Sequence, residues 1–287
     1  MLDATNPTEP PLPPEGLGER ARGRASLSLA VSRGASRLVD LAMSGSARIL
    51  LPHVEGPCPE AVFLNTAGGL TSGDALGFGI DLAPAATLNA TTQTAERAYL
   101  APQGPARLSV TATLGAGATV HWLPQETILF QGADLCRETR IELGTGARCL
   151  LVETVVLGRR AMGETVTRAR LRDLRRVTVL GRPLHTEALE LTPEALARAA
   201  SPALLGPAIA FASLAFCGPG AEGAAAAVQD LPAPAEVTTA ASGWNGRTLM
   251  RATACDLWPL KLYLGRVIAR LTGQPLPRVW QMNGAPS

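Results

Sequence analysis

The feature that most restricts the fold of this chain is a weak repeat in its middle third, with a period of about thirty residues. Leu82-Ala83-Pro84-Ala85-Ala86-Thr87, Leu114-Gly115-Ala116-Gly117-Ala118-Thr119 and Leu143-Gly144-Thr145-Gly146-Ala147-Arg148 each set a small-residue turn between strand-like segments. Each turn is followed by a strand led by a glutamate, at Glu96, Glu126 and Glu153. A strand-turn-strand unit of this size buries only one face, so successive copies must pack side by side to complete a core. The expected class is therefore mainly β, with layered or β-helical (solenoid-like) sheets and about two α-helices in the C-terminal part. Stacking would bring the three glutamates together.

The flanks fit this frame. Residues 1–18 are rich in proline, glutamate and glycine without periodicity and read as a disordered tail, leaving 19–287 as a single domain. Alternation marks strands at 24–32, 37–43 and 47–51, expected to form a meander. Downstream, 193–200 and 221–231 fit short helices, the first with Thr192 as cap and Pro193 at its first position. Residues 208–217 read as a buried strand, and 236–241 and 247–254 as a hairpin. Asp256 is placed to cap a helix running to about Leu271, before Gly273. Its stripe of Leu257, Leu260, Leu264, Val267, Ile268 and Leu271 covers one helical face.

Several activities lose support on chemical grounds. The glycine-rich stretch Phe-Leu-Asn-Thr-Ala-Gly-Gly-Leu-Thr-Ser-Gly-Asp at 63–74 places Asp74 where a phosphate-binding loop needs its lysine. Gly77-Phe78-Gly79 lacks the third glycine of a dinucleotide fingerprint. The segment is a turn, with glycines for positive φ and hydroxyl and acidic side chains for the freed amides. His53, His121 and His185 stand in unrelated contexts, and His121 reads as a satisfied sheet residue. Five cysteines without a Cys-x-x-Cys pair read as free, mostly buried thiols. No Gly-x-Ser-x-Gly elbow occurs.

Net charge is +2, and Lys261 is the single lysine among the basic residues. The arginines cluster only at Arg168, Arg170, Arg172, Arg175 and Arg176, which read as a solvated face or partner contact rather than a nucleic-acid groove. With no leader pattern and no bilayer-length apolar run, a cytoplasmic protein without a membrane partner is expected. The repeat region is poor in charge except for acids at Asp74, Glu96, Glu126, Glu153 and Glu164. Brought together, these would form an acidic lining able to act as paired carboxylates or to hold a divalent ion loosely through oxygen. Pointing outward, they would be ordinary solvated residues.

At this point the chain resembles a known family, the urease accessory protein UreD, called UreH in some organisms. Asn65-Thr66-Ala67-Gly68-Gly69-Leu70-Thr71-Ser72-Gly73-Asp74 resembles its hallmark turn, with Ser72 where a second Gly-Gly pair is more usual. Thr91-Thr92-Gln93-Thr94-Ala95-Glu96-Arg97, Trp122-Leu123-Pro124-Gln125-Glu126-Thr127-Ile128-Leu129-Phe130 and Leu157-Gly158-Arg159-Arg160-Ala161-Met162-Gly163-Glu164 resemble the following blocks in order, and Pro277-Arg278-Val279-Trp280 the common ending. The resemblance implies a non-enzymatic maturation chaperone of the nickel enzyme urease, acting with UreF, the GTPase UreG and the urease apoprotein. It also implies nickel passing transiently through the molecule, with no tightly bound cofactor. Asp74, Glu126, Glu153 and Glu164 are the expected relay positions, Glu126 and Glu153 inside and the other two near openings. Arg247, Arg251 and Trp280 are the expected partner-binding residues, around a C-terminal helix whose stripe otherwise completes the core. The competing readings are a sugar-active β-solenoid enzyme using two repeat glutamates, disfavoured by the scarcity of aromatics there, and a metal-free interaction scaffold.

Overall fold

A computed structural model of the protein describes residues 20–54, 58–159 and 162–281. Residues 1–18 and the pair Arg160 and Ala161 of the fourth family-like block lie outside the described residues. The chain opens with an antiparallel hairpin of β1 (Arg22–Ser32) and β2 (Ala35–Gly45). Here the expected meander fails, because β3 (Ala47–Leu50) crosses to a second sheet and pairs with β4 (Glu60–Asn65). A meander would have left both faces of β3 on one sheet. The crossing instead lets Ala47 and Ile49 close the space between two sheets.

From there the repeat winds as a coil. β5 (Ala75–Leu82) lies in the first sheet, β6 (Thr87–Thr92) in the second, and the short β7 (Glu96–Ala98) at its border. The next turn repeats the path with β8 (Ala106–Leu114), β9 (Thr119–Leu123) and β10 (Thr127–Leu129), and the third with β11 (Asp134–Leu143) and β12 (Arg148–Leu157). Equivalent strands pair in parallel, Ala75 level with Arg107 and Thr87 level with Thr119. The small-residue turns stack likewise, Ala85 N–H donating to Ala116 C=O at 2.8 Å and Gly117 N–H to Thr145 C=O at 2.9 Å. This is the solenoid-like arrangement the repeat implies.

One further parallel strand and four antiparallel ones close the coil. β13 (Arg170–Val179) and β14 (Arg182–Leu191) complete a seven-stranded first sheet, ordered β14-β13-β11-β8-β5-β1-β2. After α1 (Pro193–Ala197), β15 (Ala210–Cys217) pairs with β12 in the second sheet. α2 (Ala224–Gln229) precedes the hairpin of β16 (Val237–Trp244) and β17 (Arg247–Ala254), and α3 (Leu257–Thr272) follows it. The described residues thus hold three α-helices, in the three segments where the sequence places them. The hairpin is tighter than expected, because Ser242 and Gly243 pair in the ladder and only Asn245 and Gly246 turn, with φ of 47° and 74°. That is the Asn-Gly hairpin geometry whose twist suits the flanking strands.

Two cores result. The inner faces of the sheets enclose one, where Phe63 packs at 4.9 Å from Phe78 and 5.6 Å from Trp122 between ring centroids. The second lies between the outer face of the second sheet and the helices, and includes Leu150, Val152, Met250, Leu260, Tyr263 and Leu264. β12 faces both, so it is buried from Cys149 to Leu157 without alternation, as a strand covered on both sides must be. α3 ends as its sequence dictates, with the Asp256 carboxylate accepting from Trp258 N–H at 2.7 Å and Gly273 at φ 61°. Most of its stripe completes the second core.

The turn repeat carries one local conflict. Gly117 and Gly146 adopt φ of 68° and 71°, and the equivalent Ala85 sits at 60°. A Cβ in that region costs about 1–2 kcal/mol, offset partly by the extra freedom glycine gives the unfolded chain. Ala85→Gly is therefore expected to raise stability by about 0.5 kcal/mol, read as an increased urea midpoint at unchanged slope.

Candidate functional site

The structure does not gather the four acidic positions read from the sequence, and among the described residues no group of three or more His, Cys, Asp or Glu side chains could hold a metal ion. Asp74 spends both carboxylate oxygens on the backbone, accepting from Ala21 N–H and Thr71 N–H at 2.8 Å each. It fastens the hallmark turn to the start of β1. Glu164 does the same for its own loop, accepting from Gln131 N–H at 3.0 Å and Arg159 N–H at 3.1 Å. Glu126 lies on the helix side of the second sheet, where Lys261 of α3 donates to it at 2.9 Å.

Glu153 points the other way, into the gap between the sheets. The expected stack of glutamates fails because the coil register sets Glu96 level with Thr127 and Thr127 level with Val155. One residue of offset reverses the face of a strand residue, so Glu126 and Glu153 cannot share a cleft as acid and base. This also removes the geometric basis for the sugar-active enzyme.

Around Glu153 the gap holds a buried ionic chain that spans both sheets. Arg137 of β11 donates Nη1 to Glu153 at 2.5 Å and Nη2 to Asp173 of β13 at 2.6 Å. Arg175 donates to Asp173 at 2.5 Å and to Glu187 of β14 at 3.1 Å, and Glu187 accepts from Arg251 of β17 at 2.7 Å and from the Ser213 hydroxyl of β15 at 2.7 Å. Trp122 Nε1–H donates to Glu153 at 3.2 Å, tying the chain to the aromatic cluster. Three carboxylates thus balance three guanidiniums.

Their titration follows from burial opposed by neighbours. Burial would push the Asp173 carboxyl up, but Arg137 and Arg175 bring it down to about 2. Glu187 is lowered for the same reason, chiefly by Arg175, whereas burial raises Glu153 despite the Arg137 charge. A cavity of about 460 Å³ reaches Glu153, Arg175, Glu187, Ser213 and Arg251, with Leu196, Leu204 and Leu205 on its far wall. Arg251 closes the outer end, its side chain 71% exposed.

Asp173, Arg175, Arg137 and Glu187 were not singled out as site residues from sequence, although the signal existed. Asp173 and Arg175 alternate with Leu171 and Val177 on one face of β13, and Arg137 alternates with Leu135 and Ile141 on β11. Reading the arginine cluster as one solvated face is correct for Arg170, Arg172 and Arg176 but not for Arg175, which is buried. The expected partner residues are engaged within the chain. Trp280 is only 6% exposed, with Nε1–H donating to Leu123 C=O at 2.9 Å, and Arg247 donates to Leu184 C=O at 2.5 Å while stacking on Trp244. His121 is the satisfied sheet residue expected, with Nδ1 at 2.7 Å from Asn89 Oδ1. Cys58, Cys136, Cys149 and Cys217 are free thiols, and of the five cysteines only Cys149 and Cys217 are buried.

Glu96, one of the acids of the expected lining, takes no part in the ionic chain. It lines a small cavity beneath the hallmark turn, facing Asn65 and Gly69, and burial pushes its carboxyl up to about 7. The Asn65 side-chain amide donates to it at 3.3 Å.

Two outcomes test this geometry. Arg137→Met leaves Glu153 and Asp173 buried without their shared cation and is expected to destabilise the fold by about 3–5 kcal/mol in urea unfolding, with Arg137→Met/Glu153→Met recovering part of the loss. For Glu96 the folded value lies above the unfolded one, so its contribution is full below the unfolded range and is lost as pH rises through about 7. Glu96→Gln is expected to flatten the fall in stability between about pH 5 and pH 8, measured from urea midpoints.

The sequence model of the UreD urease accessory protein family matches residues 21–281. A relative named urease accessory protein UreD from Cereibacter sphaeroides is 52% identical over 272 residues, covering 94% of this chain and 98% of its own length. One of the same name from Paracoccus denitrificans is 49% identical over 267 residues, covering 92% of this chain and 93% of its own. Another from Rhizobium johnstonii is 40% identical over 265 residues, covering 92% of this chain and 96% of its own. With the family-like blocks set on consecutive coils of the solenoid, the chain belongs to the UreD family of urease accessory proteins.

Proposed function

We propose that this chain serves urease maturation as a non-catalytic accessory, assisting nickel insertion into the urease apoprotein together with UreF and the GTPase UreG. The family match over 21–281 carries the maturation role. GTP hydrolysis falls to the partner, in keeping with Asp74 standing where a phosphate loop would need lysine.

Nickel is cargo in this reading, and the inter-sheet chain of carboxylates is its path. An ion arriving through the cavity meets Glu187 and Glu153, whose oxygens are already shared with Arg251, Arg175 and Arg137. Guanidiniums compete with a divalent cation for the same oxygens, so contacts are weak and release is fast, unlike a closed Cys/His cage. Exposed Arg251 is the partner that swings aside first, leaving Glu187 with Arg175 and Ser213. Asp74, Glu126 and Glu164 act as structural anchors rather than relay ligands, because amides and Lys261 occupy them. Trp258 and Leu262, exposed on α3, form the apolar part of the partner face.

A second reading, a scaffold without metal contact, is favoured by the full internal balance of the ionic chain. The two separate in a host lacking this chain and restored with variants, with urease activity, urease nickel and urease protein followed at limiting nickel. Glu153→Gln and Glu187→Gln are expected to slow activation about three- to tenfold at unchanged urease levels, while Glu126→Gln stays near wild type. Equal activation by all three would leave the scaffold reading in possession, and active, nickel-loaded urease without the chain would remove the maturation role itself.

A further inference from the structure

The second sheet carries helices on its outer face, but the outer face of the first sheet is exposed and unusually cationic. Parallel register sets Arg22, Ala75, Arg107, Cys136 and Arg172 level with one another across β1, β5, β8, β11 and β13. Arginine thus recurs on every second strand, about 9.6 Å apart at a strand spacing of about 4.8 Å. In the next row Arg24 is followed by Gly77 and Ser109, whose small side chains leave a trough of about 560 Å³ running beneath the guanidiniums.

These charges are uncommitted. The side chains of Arg22, Arg24 and Arg107 make no ion pair or hydrogen bond with any described residue, and Arg172 has only Asp134 at 3.9 Å. Guanidiniums in that state are suited to bidentate capture of carboxylates. Of the acids that share the surface, Glu138 is spent on Arg140 at 2.6 Å and Glu142 on Gly181 N–H at 2.8 Å, while Glu190, level with Arg172, also lines the trough.

We propose that this face is a docking surface for an acidic, extended, proline-rich segment of a partner protein, laid across the strands. A polyproline II segment rises about 3.1 Å per residue, so carboxylates three residues apart recur at about 9.3 Å, close to the spacing of the arginine row. Such a segment needs no sheet hydrogen bonds, which the strands beneath already use among themselves. Its specificity comes from the match of charge spacing. The face lies on the opposite side of the sandwich from α3, so it is separate from the helical partner face.

The test is fluorescence anisotropy of a labelled repeating Glu-Pro-Pro peptide titrated with the full chain, beside Lys-Pro-Pro and Ser-Pro-Pro analogues. The acidic peptide alone is expected to bind, more weakly as salt rises. Arg24→Glu/Arg107→Glu/Arg172→Glu is expected to weaken it at least about tenfold, with the melting temperature unchanged. The same charge reversal elsewhere, Arg198→Glu/Arg266→Glu/Arg270→Glu, is expected to leave binding intact. If the first triple variant fails to fold, the corresponding Gln substitutions carry the comparison. Binding unaffected by the trough variant, or lost equally in the control, overturns the proposal. So does tighter binding in Glu9→Gln/Glu15→Gln, because the trough would then be occupied by the chain's own acidic residues.

Discussion

Everything distinctive about this protein depends on the register in which successive coils of the solenoid stack. Because equivalent strands pair in parallel, each side chain has a neighbour of the same facing on the coil above and below. A slip of one residue would exchange inner and outer faces along a whole strand. The stacked turns, the inter-sheet ionic chain and the arginine row on the outer surface are all consequences of that one alignment.

The ionic chain shows how such a fold admits charge into its interior. Arg137, Asp173 and Arg175 occupy inward positions that the alternation of β11 and β13 would otherwise give to aliphatic residues. Their burial is tolerable because each charge meets an opposite one at hydrogen-bond distance, with Trp122 donating to Glu153 and Ser213 to Glu187, while Asp173 Oδ1 and Arg137 Nε are buried without a hydrogen-bond partner among the described residues. Apolar packing between the sheets therefore gives way at one end to a polar seam reached by solvent through Arg251. A packed aromatic cluster at Phe63, Phe78 and Trp122 adjoins that seam through the Trp122 indole, whose N–H donates to Glu153.

The hallmark turn at 65–74 has a clear architectural role. Leu70 bridges to Ala98 in parallel, Asp74 holds the start of β1, and Ser72 accepts from Gln103 N–H at 3.0 Å. Gly69 adopts φ 153° and packs against Tyr99, where a Cβ would meet the ring at 2.4 Å. The turn thus joins the hairpin, the coil and the loop after β7. Its glycines serve this close approach rather than phosphate binding.

Much of this was legible in the sequence because it rests on local rules. The turn residues of the repeat, the period-two alternation of its strands, the capped helix from Asp256 to Gly273 and the Asn245-Gly246 hairpin follow from backbone sterics and side-chain alternation. The family-like blocks were equally legible, since they are contiguous. What the sequence could not decide was which acid faces which space. Glu96, Glu126 and Glu153 look equivalent along the chain, but pairing offsets set by the whole stack put Glu126 against Lys261 and Glu153 against Arg137. The same holds for β3, whose crossing to the second sheet depends on a partner, β4, that lies on the other layer. Local conformation is determined by neighbouring residues and was readable. Register and facing are decided by contacts among strands distant in sequence, and only the tertiary structure contains them.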